Sequence, residues 1–299
     1  MSYRISFRTV VAALALACCL ASSTRAMAKI KVVASLTDLG SIAAAVGGDQ
    51  VEVKTIARPQ SDPHHVEVLP SYMVSVSKAR LYLKVGLMLD QWADQIIDGS
   101  RNNKVEILDC SAHIIPLEVP TTRVDGRQGD VHPNGNPHYW LDPRNGGIVA
   151  RDIAAALGRI DPAHEVEFRQ RAETFAKECE DSRVDGVARI AALPNRTMIT
   201  YHASWVYFAE AVAMEVPGHV EPVPGIPPTG GHLQELVDLI RQRQIPVLLQ
   251  EPYYSQDAPE FLARQTGIRV IKASPSCDSA QPDSYLAHFN KLIAEIVGS

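Results

Sequence analysis

Strand-like and helix-like patterns alternate along almost the whole chain, and this alternation restricts its fold more than any other feature. Short β-branched runs at residues 30–35 and 51–56 are separated by small apolar residues suited to a helix. The same alternation begins again at residues 197–201. Because alternating strands and helices form parallel sheets covered by helices, the sequence predicts an α/β protein with two such regions.

The N-terminus has the order of regions found in secretory signal peptides. Two arginines precede an apolar run of about a dozen residues, and the small residues Ala26-Met27-Ala28 follow it. The run is shorter than the roughly 20 residues that a membrane-spanning helix needs. We therefore predict a signal peptide over residues 1–28 and a mature chain in the periplasm. Attachment of a lipid to Cys18 or Cys19 is the alternative.

A charged helical run over residues 163–192 separates the two alternating regions. As one helix of about 30 residues it would extend about 45 Å, which is longer than one small domain requires. About 270 residues remain after the signal peptide, more than a single hydrophobic core usually contains. We therefore predict two similar lobes, over residues 29–160 and 194–299, joined by a linking helix over residues 161–193. In the second lobe, residues 217–231 are predicted to form a loop rich in proline and glycine.

The composition excludes some classes of function. The net charge of −5 includes no basic excess, so nucleic acid is not an expected partner. Beyond the signal peptide the cysteines are Cys110, Cys179 and Cys277. This odd number permits at most one disulfide within the chain, and three buried thiols are the alternative. The chain lacks a CxxC motif, so a cysteine-based zinc knuckle or redox site is not expected.

Three of the ten histidines stand where a predicted strand gives way to a loop or helix: His64, His138 and His202. Ligands of open α/β sheets gather beyond the carboxyl ends of the strands, so we expect these side chains to meet in a cleft between the lobes. Imidazole nitrogens are preferred zinc donors, and a carboxylate can complete a tetrahedral set. Asp278 follows the predicted strand 270–272 and is the predicted fourth donor.

The residues around these histidines resemble the motifs of the metal-binding solute-binding proteins of ABC transporters. The matching motifs are Asp62-Pro63-His64 with Glu67, Pro137-His138 with Trp140-Leu141-Asp142-Pro143, His202 with Tyr207-Phe208-Ala209, and Gln250-Glu251-Pro252. The resemblance extends over residues 30–299. It implies two lobes joined by a long rigid backbone helix.

The resemblance also implies a binding protein and not an enzyme. It implies that His64, His138, His202 and a carboxylate near Asp278 bind zinc or manganese. The protein would act as a monomer that delivers the ion to a membrane permease driven by an ATPase. Three nitrogen donors and one carboxylate favour zinc, whereas manganese prefers more oxygen ligands. The expected cargo is therefore Zn(II).

Several alternatives stay open. Residues 274–279 match the family's Asp-Ser element only loosely, so Asp283 is the alternative fourth ligand, and His65 is the alternative to His64. A manganese-binding homologue is the alternative cargo carrier. A zinc hydrolase could use the same histidines, but it would need an open coordination position and a nearby base.

His132 is the single histidine in the loop before His138, a loop that is rich in histidine in many zinc binders of the family. We expect His132 to be a solvated side chain beside Pro133. Transient capture of zinc is the alternative role.

Overall fold

A computed structural model describes residues 28–122 and 132–298. The predictions about residues 1–27, which include most of the signal peptide and the lipid attachment, lie outside these ranges. Within them, no helix is both long and apolar enough to cross a membrane. The three cysteines beyond the signal peptide are unpaired, and each is buried: Cys110, Cys179 and Cys277.

The first lobe alternates strands and helices in a single sheet. Its elements are β1 (Ile30–Ala34), α1 (Thr37–Gly47), β2 (Val51–Thr55), α2 (Pro70–Val76), β3 (Leu81–Lys84), α3 (Trp92–Ser100) and β4 (Glu106–Asp109). The strands are parallel and lie in the order β2-β1-β3-β4. The central strands β1 and β3 are largely apolar and buried, as expected for strands covered by helices on both faces.

Two long helices connect the lobes. They are α4 (Pro143–Ile160) and α5 (Glu165–Ala191). The 27 residues of α5 extend about 40 Å at the rise of an α-helix. The helices approach each other closely at Gly147, where a Cβ atom would lie 3.1 Å from the Cβ atom of Ala176.

The second lobe repeats the construction of the first. Its elements are β5 (Thr197–Thr200), α6 (Val206–Ala211), β6 (Glu215–His219), α7 (Gly230–Arg243), β7 (Val247–Gln250), α8 (Asp257–Thr266), β8 (Arg269–Lys272) and α9 (Ser284–Val297). The strands are parallel in the order β6-β5-β7-β8, which is the order of the first sheet. The predicted fold of two similar lobes, each a parallel sheet flanked by helices, is therefore confirmed.

The loop predicted over residues 217–231 is wrong at its start, because residues 217–219 belong to β6. Pro217 and Gly218 lie inside this strand, and both residues disfavour a strand in the sequence pattern. The strand is at the edge of its sheet, where a proline does not interrupt a ladder on both sides. The residues after His219 are therefore placed at the carboxyl edge of the sheet, beside the end of β5.

The two lobes share one buried apolar cluster, which extends from β1 through α4 and α5 to α9. The segment before α9 also bonds to the first lobe. The backbone N–H of Cys277 donates to the Asp38 carboxylate at 3.1 Å, and the Thr37 hydroxyl donates to the Cys277 carbonyl at 2.7 Å. These contacts fix the edge of the second lobe against α1.

Candidate metal centre

Three histidines from different parts of the chain come together between the lobes. His64 follows β2, His138 precedes α4, and His202 directly follows β5. Their ring centroids are 5.2 to 5.7 Å apart, and one nitrogen of each lies within 4.8 Å of the others. No second cluster of three or more histidine, cysteine, aspartate or glutamate side chains with this geometry occurs among residues 28–122 and 132–298.

The first two histidines are oriented by the same local device. Each stands two residues after an aspartate or asparagine, in Asp62-Pro63-His64 and Asn136-Pro137-His138. In both segments one side-chain oxygen accepts from the backbone N–H of the histidine, at 2.9 and 3.0 Å. The same oxygen contacts the ring Nδ1 atom of that histidine at 2.9 Å. A short Asx turn therefore fixes both the chain and the ring.

The amide of Asn136 has a defined orientation. Its Nδ2 atom donates to the carbonyl of Ala203 at 2.7 Å and to the carboxylate of Glu118 at 2.9 Å. The Oδ1 atom is therefore the acceptor that faces His138. Because the Ala203 carbonyl belongs to the second lobe, this amide also joins the two lobes at the site.

The third histidine is oriented by the carboxylate of Glu221, which lies just after β6. The Nδ1 atom of His202 lies 2.7 Å from Oε2 of Glu221, and both side chains are buried. The same oxygen accepts from the backbone N–H of Gly225 at 3.0 Å. Carboxylates paired with ligand histidines in this way fix the ring and strengthen its other nitrogen as a donor.

These contacts determine which nitrogen each ring can offer. The oxygens of Asp62, Asn136 and Glu221 accept, so in the neutral form of each ring Nδ1 carries the hydrogen and Nε2 keeps a lone pair. The Nε2 atoms of His64 and His138 are buried and have no hydrogen-bond partner. A buried polar atom without a partner costs free energy, and a bound metal ion would remove that cost. The three rings thus form a set of neutral nitrogen donors.

Burial favours the neutral form of the His138 ring. His138 is 1% exposed, and burial, followed by the charges of neighbouring histidines, holds the pKa of its ring well below the ordinary value. Burial is the largest single influence on the pKa of Asp62 and would raise it, but the hydrogen bonds from the side chain and backbone of His64 and the charges of His64 and His65 together lower that pKa below the ordinary value. Asp62 therefore remains an ionised acceptor for the ring.

The structure does not bring the predicted fourth donor to this cluster. Asp278 is exposed, and its Oδ1 atom accepts from Nε2 of Gln60 at 3.4 Å. The preceding segment is held to the first lobe because the Trp140 indole N–H donates to the carbonyl of Pro275 at 2.8 Å. In this structure neither Asp278 nor the exposed alternative Asp283 belongs to the cluster, and the identity of the fourth ligand stays a prediction.

Two further histidines lie near the cluster, and one of them, His132, has a different position from the one expected. His65 is exposed, and its ring centroid is 6.5 Å from that of His64, so the ring of His64 is the one that enters the site. His132 is not the solvated side chain that the sequence predicts. Its ring stacks on His64 with centroids 5.3 Å apart, and its Nε2 atom is buried without a hydrogen-bond partner. Burial is the main cause that lowers the pKa of His132 to about 4.

Glu221 is the functional residue that the sequence interpretation missed. The register of the sheet pairs Thr200 of β5 with His219 of β6. Two residues beyond the ends of both strands, His202 faces Glu221. Recognition of β6 as an edge strand would have revealed this pair. Two other glutamates lie in the motifs that match the family. Glu67 is exposed. Glu251 is buried and accepts hydrogen bonds from Ser204 and Trp205, which follow His202 in the chain.

The known proteins that this chain resembles belong to one family, but their names refer to different metals. A family model described as the periplasmic component A of the zinc-uptake complex matches residues 32–299. The iron-binding protein YfeA of Yersinia pestis is 26% identical over 245 residues, which cover 80% of this chain and 75% of that protein. The manganese-binding lipoprotein MntA of Halalkalibacterium halodurans is 24% identical over 243 residues, with coverages of 81% and 77%. A crystal structure of ZnuA superposes with a TM-score of 0.80 at 23% identity and covers 91% of this chain and 99% of that chain.

Proposed function

We propose that this chain, which belongs to the family of the periplasmic zinc-uptake component A, binds Zn(II) as a transported ligand between its two lobes. Members of this family are metal-binding solute-binding proteins of ABC transporters, so the chain is a binding protein and not an enzyme. In the proposed cycle, His64, His138 and His202 capture the ion through their Nε2 atoms. The loaded protein then releases the ion to a membrane permease driven by an ATPase.

The observation that supports zinc is the nature of the donor set. All three Nδ1 atoms face accepting oxygens, so the cluster offers three neutral imidazole nitrogens. Zinc accepts such nitrogen donors in tetrahedral sites, whereas manganese prefers carboxylate, carbonyl and water oxygens. The names of the relatives include iron and manganese, so the choice of zinc depends on this donor set and not on similarity.

The proposed location follows from the family and from the N-terminal sequence. The family acts outside the cytoplasm, and we propose that residues 1–28 are a signal peptide that directs a monomer to the periplasm. Lipid attachment at Cys18 or Cys19 remains the alternative, and the relative MntA is named a lipoprotein. The intact mass of the secreted protein distinguishes a free mature chain that starts near Lys29 from a lipid-modified one.

Metal competition tests the proposed cargo. We expect metal-stripped protein, mixed with equal amounts of Zn(II), Mn(II) and Fe(II) under anaerobic conditions, to retain about one zinc ion per chain after gel filtration. Elemental analysis of the protein fraction is the measurement. Retention of manganese or iron in the presence of zinc would contradict the proposed cargo, although it would leave the family assignment unchanged.

Loss of the carboxylate behind His202 is expected to weaken zinc binding. Glu221→Ala should lower the affinity about 10- to 100-fold, because ligand histidines that lose their hydrogen-bond partner also lose orientation and basicity. Glu221→Gln should lose less, since an amide oxygen can still accept from Nδ1. Competition with a zinc chelator measures both. Glu235→Ala is the matched control, because that glutamate side chain is 82% exposed on the same lobe. If Glu221→Ala bound zinc with wild-type affinity, Glu221 would not orient a zinc ligand.

A further inference from the structure

We propose that the first lobe carries a basic face that holds the protein against a membrane of anionic phospholipid. The face consists of six exposed cations around the amino ends of the adjacent strands β1, β3 and β4: Lys29, Lys31, Lys78, Arg80, Arg101 and Lys104. None of the six forms an ion pair with a carboxylate of residues 28–122 or 132–298. By contrast, every arginine of α4 and α5 pairs with an acidic side chain.

Hydrogen bonds hold the segments of the basic face side by side. The backbone N–H of Arg80 donates to the Lys31 carbonyl at 2.8 Å, and that of Glu106 donates to the Arg80 carbonyl at 2.9 Å. The side-chain amide of Asn102 donates to the carbonyl of Ala79 at 2.8 Å. The loops before β3 and β4 are therefore fixed to each other and to the start of β1, so their cations share one edge of the sheet.

The acidic side chains near this edge leave the face positive. Glu106 pairs with Arg159 at 2.5 Å and so adds no net charge. Asp98 lies in the last turn of α3, and Asp49 and Glu52 lie at the start of the edge strand β2, where they bound the face on one side. The basic face thus has more cations than anions, although the chain as a whole has a net charge of −5. Such a local excess favours contact with an anionic surface.

A shallow pocket lies beside the sheet within this region. Lys31 and Lys78 of the basic face line it together with Lys54 of β2, and Glu52 is the one acidic side chain in its lining. Val74, which is 53% exposed, lines the same pocket. Lysines of this kind attract anionic headgroups, and an exposed apolar side chain among them suits the boundary between headgroups and acyl chains.

The position of the N-terminal segment favours a membrane as the partner. Lys29 directly precedes β1, so the residues before it join the protein at the basic face. Removal of the proposed signal peptide would add an α-amino group there, and a lipid on Cys18 or Cys19 would tether the same face to the membrane. His64 follows the carboxyl end of β2, at the opposite edge of the sheet. The metal centre therefore lies away from the lipid, and the inference does not depend on the cargo.

Flotation with lipid vesicles tests the proposal on protein that starts at Lys29 and carries no lipid. We expect this protein to bind vesicles of about one-third phosphatidylglycerol in phosphatidylcholine, and not vesicles of phosphatidylcholine alone. Raising the salt concentration from about 0.01 M to 1 M shortens the Debye length from about 30 Å to about 3 Å, and should release the protein. Failure to bind the anionic vesicles at low salt would overturn the proposal.

Two triple variants of equal net charge separate the basic face from total charge. The first removes three cations of the face: Lys31→Gln, Lys78→Gln and Arg80→Gln. Because each cation near an anionic surface strengthens binding about five-fold, we expect at least about a 20-fold loss of affinity for the anionic vesicles. The control removes three exposed cations of the second lobe and should bind as wild type does: Arg196→Gln, Arg264→Gln and Lys272→Gln. An equal loss in both variants, with circular dichroism unchanged, would overturn the basic face.

Fluorescent labels on the two lobes measure the orientation independently. Asn103→Cys places a label between Arg101 and Lys104, whereas Glu235→Cys places one on the second lobe. The three native cysteines beyond the signal peptide are buried, so unmodified protein is the blank. Spin-labelled lipid in the anionic vesicles is expected to quench the label at residue 103 and not the label at residue 235. Quenching at neither position, or as strong at 235 as at 103, would overturn the proposal.

Discussion

His138→Ala is expected to reduce zinc affinity by more than about 100-fold, because replacement of a residue that merely orients a ligand already costs about 10- to 100-fold. His138 is 1% exposed and central, with its ring centroid 5.2 Å from His64 and 5.7 Å from His202. Its removal takes away a donor and leaves a buried space that water fills poorly. His64→Ala and His202→Ala should show losses of the same order.

The same titrations separate the ligands from their sequence neighbours. Competition with a zinc chelator on Asp278→Ala and His65→Ala should give affinities close to wild type, because both residues are exposed and outside the cluster. A large loss in Asp278→Ala with little change in His138→Ala would reverse the assignment. Circular dichroism of each metal-free variant shows whether a loss of binding reflects a loss of folding.

Much of the fold could be predicted because the central strands are nearly continuous apolar runs. The predicted strands over residues 30–35 and 197–201 agree with β1 and β5 to within one residue. Strands buried on both faces and helices with one apolar face leave a clear signal in a single sequence. Strand β6 lacks that signal, because an edge strand tolerates Pro217 and Gly218, which disfavour strands elsewhere.

The proposed ligands could be predicted from the sequence to the extent that they follow strands or recognisable motifs. His64 and His138 each follow an Asx-Pro pair, and His202 follows a buried strand, so each is fixed by its local sequence. The position of the predicted fourth donor depends instead on how distant segments pack. Asp278 follows β8 in the chain, yet hydrogen bonds from Trp140 to Pro275 and from Ser274 to Pro59 hold its segment so that its carboxylate faces solvent. No local pattern reports such contacts.

The buried carboxyl group of Glu251 links the site to protein stability. Its Oε1 atom accepts from the Ser204 hydroxyl and the Trp205 indole N–H, both at 2.9 Å, and so holds the turn that follows His202. Its Oε2 atom is buried without a partner. Burial, only partly opposed by these hydrogen bonds, raises the pKa of Glu251 to about 8. The group is therefore protonated in most folded molecules at neutral pH.

This raised pKa predicts that the protein loses stability as the pH rises. The folded protein holds the proton up to a pH of about 8, whereas the unfolded chain releases it near the ordinary value of 4.5. The stabilisation is thus fully present below the ordinary value and is lost as the pH rises through the folded value. Between pH 5 and pH 9 this single group should lower the free energy of unfolding by on the order of 4 kcal/mol.

Glu251→Gln isolates this contribution, because an amide has nearly the same shape, stays neutral, and can accept from Ser204 and Trp205. Denaturant unfolding of metal-free wild type and variant at several pH values is the measurement. The buried histidines, such as His138 with its lowered pKa, change the stability of both proteins alike, so they cancel in the difference. We expect the stability of Glu251→Gln relative to wild type to increase from pH 5 to about pH 8 and then to level off. Glu235→Gln, on the exposed surface of α7, should show no such trend. A constant difference for Glu251→Gln across this range would mean that the carboxylate is already ionised in the folded protein at pH 5.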